Sequence, residues 1–298
     1  MFLDLGTYGV SPDWRPGQRD TRWMVTPTIQ RRRLGNALKR AREAAGKNQE
    51  EAAEVIDAAS SKISRMELGQ SGIRLTDLKL LLDFYGVPAE EAEPLRDLAR
   101  AGRQRGRWSG YRNVVPDWFR QYLDLEADAA EIRWYQSEVI PGILQTEPYI
   151  RAIIEGEDVE RQVEVRLERQ KVIDRPDGPE LNFILSESAL RRDLGDREAM
   201  QDQLSQLATL ANRPNVTIQV FPLDAATYVT SSYNFITLRF GEEVASDVVY
   251  LETFTDADYL DSPEAIRAYN RLWGRLQAAA LGPAESRRLI LRIADEMK

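Results

Sequence analysis

The segment KNQEEAAEVIDAASSKISRMELGQ, residues 47–70, holds two short helical patterns, one after the other. Asn48 is suited to capping the first pattern, whose opening turn carries the carboxylates that a helix N-terminus favours. The second pattern covers residues 60–68, and Gly69 is a residue type that commonly ends a helix. The segment therefore predicts two short helices joined by a tight turn near residues 57–59.

The second helix of this segment presents two different faces. Ile63 and Met66 lie on one face at helical spacing, and we expect them to enter a core. The other face is small and polar at its start, and it carries Ser60, Ser61, Lys62, Ser64 and Arg65. Hydroxyl and cationic groups donate hydrogen bonds to base edges and phosphates, and small side chains let a helix approach DNA closely. The polar face therefore predicts a helix that contacts DNA.

Further helical patterns flank this segment at residues 28–46, 74–86 and 88–103. Two short helices joined by a tight turn, with neighbouring helices that close a core, make the helix-turn-helix arrangement. We therefore expect an all-α, five-helix DNA-binding domain over residues 28–101. Gln49, at the start of the second helix, is placed to donate to a phosphate.

A capped amphipathic surface helix would show a similar polar face, because such faces are common on soluble proteins. The charge distribution favours DNA binding over this alternative. Residues 1–110 carry 19 Lys or Arg against 15 Asp or Glu, whereas residues 111–298 carry 21 against 33. Such a split suggests that the first part of the chain meets a polyanion. The run of arginines at residues 31–33 is more simply a solvated face.

Residues 35–70 resemble the phage-repressor-type (xenobiotic-response-element) helix-turn-helix family. The matching positions are Arg42 in the first helix, Gln49 and Ala53 in the second, and Ile63, Ser64, Arg65, Met66, Glu67 and Gly69 in and after the third. The chain departs from the family at Asp57, where glycine is usual in the turn. It departs again at Leu68, where a basic or polar residue is common.

The resemblance assigns roles to several of these positions. It implies that DNA is contacted by Gln49, Ser60, Ser61, Lys62 and Arg65. It also implies that Arg42 and Glu67 form a structural ion pair.

The rest of the chain divides into three parts. Residues 1–27, rich in Gly, Pro, Asp and Arg, predict a flexible N-terminal tail, and residues 102–115 predict a Gly/Arg-rich linker. Residues 116–298 alternate helical and strand patterns, and the stretch from Pro116 to Gln136 reads as helical. Candidate strands cover residues 180–186, 215–223, 233–240 and 247–253. Three strands in succession after a helix predict an α+β domain with a small, mainly antiparallel sheet.

Five segments of this second domain carry a family resemblance in their order along the chain. They are residues 131–155, 165–173, 186–192, 215–222 and 248–252. They resemble the C-terminal domain of an actinobacterial family of regulators whose named members are WhiJ-type developmental regulators. The resemblance implies a transcriptional regulator that is often paired with a small partner protein encoded beside it, in a toxin–antitoxin-like arrangement.

Several residues of the second domain are candidates for a ligand or partner site. They are Trp134, Gln145, Arg166, Arg169 and Gln170. The two arginines are three residues apart, so they lie on one helical face. The alternative is structural: the tryptophan would lie in a core, and the arginines would pair with Glu147 or Glu187.

Composition weighs against catalysis. The chain contains no histidine and no cysteine, which removes Ser–His–Asp and Cys–His chemistry and zinc sites with His or thiolate ligands. The carboxylate pairs at residues 242–243 and at Asp256 and Asp258 lie in loop contexts, and no phosphate-cradling glycine loop occurs. We expect no enzyme activity, no catalytic residue, no metal site and no cofactor.

Hydropathy gives no sign of a membrane protein. The sequence has no apolar run of about 18 residues or more, and its start lacks the pattern of a secretory signal. We expect a cytoplasmic, nucleoid-associated location.

Together these features predict a sequence-specific transcriptional regulator that binds double-stranded DNA as a homodimer. The second domain would sense a ligand or bind a small partner protein. The alternative is an antitoxin-like protein-interaction module that sequesters a partner, with DNA binding secondary.

Overall fold

The computed structural model describes residues 26–104, 107–111, 113–154, 158–192, 194, 196–225, 234–241 and 246–297. Residues 1–25 of the predicted N-terminal tail lie outside the described residues. Within these ranges the chain forms a helical unit followed by a unit of helices and strands.

The first unit consists of five α-helices. They are α1 (Pro27–Ala44), α2 (Gln49–Val55), α3 (Ser60–Glu67), α4 (Leu75–Phe84) and α5 (Ala89–Gly102). Asn48 caps α2: its side chain accepts a hydrogen bond from the backbone N–H of Glu51, and the Glu51 carboxylate accepts one from the backbone N–H of Asn48, both at 2.8 Å. The apolar faces close one core, which includes Leu34, Leu38, Ile63, Met66, Leu78 and Leu81.

Two backbone positions fix how α2, α3 and α1 meet. Asp57, in the turn after α2, has a φ of 49°, in the left-handed region that aspartate tolerates better than most residues. Gly35 lies where α1 crosses α3, and a Cβ at this position would sit 2.4 Å from the carbonyl oxygen of Glu67. Because any side chain would collide with backbone there, the glycine permits α1 and α3 to pack closely against each other.

The second unit contains seven α-helices among the described residues. They are α6 (Asp117–Asp128), α7 (Glu147–Ile153), α8 (Val159–Gln170), α9 (Glu187–Arg191), α10 (Arg197–Leu210), α11 (Pro263–Ala279) and α12 (Pro283–Glu296). A short 3-10 helix, Gly142–Leu144, precedes α7. None of the helices in the described ranges is long and apolar enough to cross a membrane.

The strands of this unit form one six-stranded sheet in the order β3-β2-β1-β4-β5-β6. They are β1 (Glu131–Gln136), β2 (Glu180–Ser186), β3 (Val216–Phe221), β4 (Phe235–Arg239), β5 (Val248–Glu252) and β6 (Ala257–Leu260). Strands β1, β2 and β3 pair in parallel, whereas β4, β5 and β6 continue the sheet in antiparallel fashion.

The prediction of a mainly antiparallel sheet is wrong, because the sheet is mixed. Residues 131–136 were expected to continue a helix, but they form the central strand β1. Helices α7 and α8 lead from β1 to β2, and α9 and α10 lead from β2 to β3. Parallel neighbours need such long crossovers, so a strand misassigned as helix hides the parallel half of the sheet.

The sheet is covered on both faces. Leu181, Phe183 and Leu185 of β2 belong to a large core that also includes residues of α6, α10 and α12. Ile184, between them in sequence, belongs to a separate cluster with Trp273 of α11. Successive strand residues point to opposite faces, so the sheet lies between two helical layers.

Helix α1 is shared between the two units. Ile29, near its start, packs into the large core of the second unit. The hydroxyl of Thr28 donates to the carboxylate of Asp124 in α6 at 2.7 Å, within a buried contact. Arg32 is buried and pairs with Asp261 at 2.8 Å. The first turns of α1 therefore fasten the helical unit to the second unit.

Candidate DNA-binding surface and effector cavity

Helix α3 displays its predicted faces. Ile63 and Met66 are buried in the core of the helical unit. Ser61 and Arg65 are exposed on the opposite face, and the remaining predicted contact residues on α3, Ser60, Lys62 and Ser64, are half-buried. The small polar start of the helix and the guanidinium of Arg65 therefore lie on one accessible surface.

The two cations of α3 differ in their surroundings. The ammonium of Lys62 pairs with the carboxylate of Asp77 in α4 at 2.8 Å. Arg65 makes no ion pair with any residue in the described part of the chain. Lys62 therefore has to exchange a carboxylate for a phosphate or base, whereas Arg65 can donate without losing a partner.

Behind this surface lies a buried ion pair between α1 and α3. The Nε and Nη2 atoms of Arg42 donate to the two carboxylate oxygens of Glu67 at 2.6 and 3.0 Å. The hydrogen bonds to Glu67 raise the pKa of Arg42. Gln49, which we expected at a phosphate, donates its Nε2 to Glu67 at 2.8 Å. The Gln49 side chain is thus held in the same network as the ion pair.

The run of arginines in α1 is only partly a solvated face. Arg31 donates to the backbone oxygen of Gly102 at 3.0 Å and to Thr28 at 2.8 Å. Arg32 is the buried residue that pairs with Asp261. These two arginines therefore join elements of the protein to one another.

The second unit contains a cavity of about 320 Å³ beside β1, β4 and β5. Its wall includes four of the predicted ligand or partner residues, which are Trp134, Gln145, Arg166 and Arg169. Gln170 supports the wall from outside, because its Nε2 donates to the backbone oxygens of Gly142 and Gln145 at 3.2 and 2.6 Å. The structure thus brings together residues that the sequence places up to 36 positions apart.

Aromatic rings make up much of the cavity wall. The rings of Tyr122 and Tyr250 lie 4.4 Å apart between centroids, and Phe119 stacks on Tyr122 at 5.4 Å. Trp134 meets the ring of Tyr122 edge-on at 6.4 Å. The cavity therefore offers flat apolar surfaces next to a few polar groups, as small-molecule sites commonly do.

Arg169 is neutralised by a carboxylate that sequence reasoning missed. Its Nε and Nη2 donate to the two carboxylate oxygens of Glu126 in α6 at 2.9 and 2.8 Å. Its guanidinium carbon lies 5.1 Å from the ring centroid of Phe119 and 5.4 Å from that of Tyr122. The structural alternative paired the arginines with Glu147 or Glu187, and those partners are wrong: Glu147 pairs with Arg151, and Glu187 pairs with Arg191.

Tyr122 and Gly142 complete the surroundings of Arg169. The Tyr122 hydroxyl donates to Glu126 at 2.5 Å, and burial followed by the Glu126 charge raises the pKa of this phenol. A Cβ at Gly142 would lie 3.2 Å from Nη1 of Arg169, so the glycine lets the 3-10 helix pass close to the guanidinium. Tyr122 and Glu126 lie four residues apart in α6, whereas Gly142 and Arg169 come from separate elements, so only the second contact lacks a short-range sequence signal.

Arg166 stands in contrast to Arg169. Its Nη1 donates to the Oε1 of Gln145 at 2.6 Å, and the Nε2 of Gln145 donates to the backbone oxygen of Ile140 at 2.7 Å. No carboxylate among the described residues pairs with Arg166. Burial, and then the neighbouring charge of Arg169, lower the pKa of Arg166 to about 10. The acidic residue of the wall, Glu252, instead accepts a hydrogen bond from the hydroxyl of Tyr250 at 3.1 Å.

Helix α6 touches both the cavity and the helical unit. Tyr122 and Glu126 face the cavity side through the contacts with Arg169. Asp124 accepts the buried hydrogen bond from Thr28, and Asp128 accepts one from the backbone N–H of Thr26 at 2.6 Å. Helix α6 therefore contributes both to the wall of the cavity and to the contact with the start of α1.

Two protein families match the chain. A family described as "Helix-turn-helix domain" matches residues 33–95, in agreement with the arrangement of α1 to α5, and it supports a DNA-binding regulator. A family described as "Domain of unknown function (DUF5753)" matches residues 119–292, from α6 into α12. No curated protein and no solved structure matches. Because the second match spans more than half of the 298 residues, the chain belongs to the DUF5753 family.

Proposed function

We propose that the protein is a sequence-specific transcriptional regulator that inserts α3 into the major groove of DNA. The observation that carries this proposal is the accessible polar face of α3 on a helix-turn-helix unit, with the guanidinium of Arg65 unpaired among the described residues. Arginine donates well to guanine and to phosphate, and small side chains such as Ser60 and Ser61 permit close approach.

In this function the second unit regulates DNA binding. Helix α6 connects the two functions, because the Tyr122 side of the helix meets the cavity while Asp124 holds Thr28 of α1. Filling the cavity would shift or stiffen α6, and α1 would pass this change to α3 through the crossing at Gly35. A homodimer would present two recognition helices about 34–36 Å apart, matching a pseudo-palindromic site in the nucleoid.

A second candidate function is an antitoxin-like module that sequesters a small partner protein. Phe254, in the turn between β5 and β6, is fully exposed, and it follows Thr253 of the cavity wall. An exposed aromatic ring beside an apolar cavity suits a protein partner, since aromatic residues are enriched in interface centres. A small protein that co-purifies in stoichiometric amount would favour this function over ligand sensing.

The test of DNA recognition is salt-dependent binding to the DNA upstream of the protein's own gene and to random DNA. We expect the protein to prefer its own DNA, and Arg65→Ala to lose about 1–3 kcal/mol of that preference if Arg65 contacts a base. Lys62→Ala is expected to reduce the salt dependence by about one unit if it contacts a phosphate.

Lys79→Ala is the matched control for Lys62→Ala, because Lys79 also pairs with an aspartate but lies on the exposed side of α4. Arg40→Ala on α1 serves the same purpose for Arg65, because Arg40 is also exposed and makes no ion pair among the described residues. Equal binding to both DNAs that none of the variants changes would contradict the proposal, and the partner-binding function would then be preferred.

A further inference from the structure

We propose that the cavity of the second unit binds a small organic monocarboxylate with an aromatic or apolar body, and that Arg166 holds the acid group. The inference rests on the proposed function, because it names the class of ligand that the second unit would sense.

The cavity wall carries two arginines, of which one lacks a carboxylate partner among the described residues. Two guanidiniums of α8 line the cavity, but only that of Arg169 has a carboxylate partner, Glu126. Arg166 is half-buried and uses one donor on the neutral side chain of Gln145. Glu252 on the same wall attracts Arg166 electrostatically but makes no ion pair with it, and a guanidinium has five N–H donors to satisfy. An anion in the cavity would therefore gain a charge-assisted pair that the protein does not supply.

Side-chain amides hold Arg166 in position. Gln145 receives the Arg166 hydrogen bond, donates to Ile140 and is itself almost fully buried. Gln170 holds the backbone of Gln145 in place through a 2.6 Å hydrogen bond. The guanidinium is thus oriented by the buried amide of Gln145, which the half-buried Gln170 supports in turn. A fixed fork of N–H donors suits a planar carboxylate, which accepts two parallel hydrogen bonds.

The remaining wall limits the rest of the ligand. The rings of Phe119, Tyr122 and Trp134 offer apolar surface for an aromatic or aliphatic body. Gln136 and Asn234 contribute primary amides, which can donate to carboxylate oxygens. Burial raises the pKa of Glu252 on the same wall, and its ionised form would repel a dianion more strongly than a monoanion. A monocarboxylate therefore fits the wall better than a phosphate monoester.

The test uses isothermal titration of the full-length protein without DNA. The probes are phenylacetate, 3-phenylpropionate and 4-phenylbutyrate, each compared with its primary amide, together with 2-phenylethyl phosphate. We expect at least one acid to bind about tenfold or more tightly than its amide, because a charge-assisted pair replaces a neutral one. Arg166→Gln should remove this difference, whereas Arg161→Gln, an exposed position on the same helix, should retain it.

Three outcomes would overturn the inference. They are the absence of binding by every acid, equal affinity of each acid and its amide, and tighter binding of the phosphate ester than of the acids. The acid–amide comparison needs no variant, so it remains decisive even if Arg166→Gln fails to fold. Carboxylate binding by a protein that does not recognise DNA would contradict only the proposed function. DNA recognition without carboxylate binding would contradict only the ligand class.

Discussion

Each unit of the molecule contains a buried arginine–glutamate pair with nearly the same geometry. In the helical unit, Arg42 meets Glu67 through two hydrogen bonds of 2.6 and 3.0 Å. In the second unit, Arg169 meets Glu126 through two of 2.9 and 2.8 Å. Both pairs connect helices that are distant in sequence, so the pairs themselves do not distinguish the units.

The surroundings of the two pairs differ. Arg42 also donates to the backbone oxygen of Lys47 at 2.8 Å, and Gln49 donates to Glu67, so protein groups complete the first pair. Arg169 lies against two aromatic rings and lines the cavity. The Arg42–Glu67 pair is thus enclosed by protein groups, whereas Arg169 of the other pair lines a cavity. What adjoins an ion pair, more than the pair itself, indicates whether a ligand can reach it.

The largest effect is expected from Arg169→Met. The variant leaves the carboxylate of Glu126 buried without its cation, and we expect it to lower the free energy of unfolding by about 4 kcal/mol. Urea unfolding followed by far-ultraviolet circular dichroism measures this loss. The double variant Glu126→Met/Arg169→Met should recover most of it, because two apolar side chains of similar size can replace a buried pair. A double variant as unstable as the single one would show that shape at this wall matters more than charge.

A somewhat smaller effect is expected from Arg42→Met. Glu67 would keep the hydrogen bond from Gln49, as Glu126 keeps the one from Tyr122, but Arg42 and Glu67 are slightly more exposed than Arg169 and Glu126. We therefore expect the free energy of unfolding to fall by about 3 kcal/mol. Arg40→Met, at an exposed position of α1, is the matched control in the same urea experiment. If Arg42→Met were as harmless as its control, the pair would be no more than a surface contact, and the contrast between the units would disappear.

The smallest effect concerns the junction between the units and depends on pH. Burial raises the pKa of Asp128 to about 6, above the value of an unfolded chain. The folded protein therefore binds a proton more readily, so the contribution of Asp128 to stability is fully present below the unfolded pKa and is lost as the pH rises through about 6. Relative to Asp128→Asn, the native protein should lose about 2 kcal/mol between about pH 4 and 7.

Thermal unfolding at a series of pH values measures this difference. Asp124, buried beside Asp128, also has a raised pKa because of burial. Only the difference between the native protein and Asp128→Asn therefore isolates one carboxyl group. Asp97→Asn on the exposed side of α5 is the control. A difference that does not vary with pH would mean that the pKa of Asp128 is the same in the folded and the unfolded chain.

Local patterns were enough to predict the helical unit. The residues that make α2, the turn and α3 lie within one short segment, and Ile63 and Met66 mark the buried face by their spacing alone. The chain departs from the family at Asp57 and Leu68, and at Asp57 aspartate adopts the left-handed conformation of the turn. The pairing of Arg42 with Glu67 could be expected only through the family resemblance, because 25 residues separate the two.

The second unit depends on contacts between distant residues, and there the sequence was less informative. The segment EIRWYQ of β1 follows α6 almost directly, and its pattern is too short to reveal a change from helix to strand. The three-residue spacing of Arg166 and Arg169 predicted one helical face. The partner of Arg169 could not be predicted, because Glu126 lies 43 residues away in α6. The contact of Thr28 with Asp124 spans 96 residues and likewise has no local signal.

Helix α1 changes what counts as a separable fragment of this protein. The peptide connection between the units runs through residues 102–115, but Thr28, Ile29 and Arg32 hold them together a second time through α1. A protease cut in that connecting segment would therefore yield two pieces that stay associated. A recombinant fragment of residues 28–101 would instead expose the apolar side chain of Ile29 and leave Arg32 without its acidic partner. The two units thus meet along a contact surface that includes the start of α1. Cutting the chain at one position does not separate them along that surface.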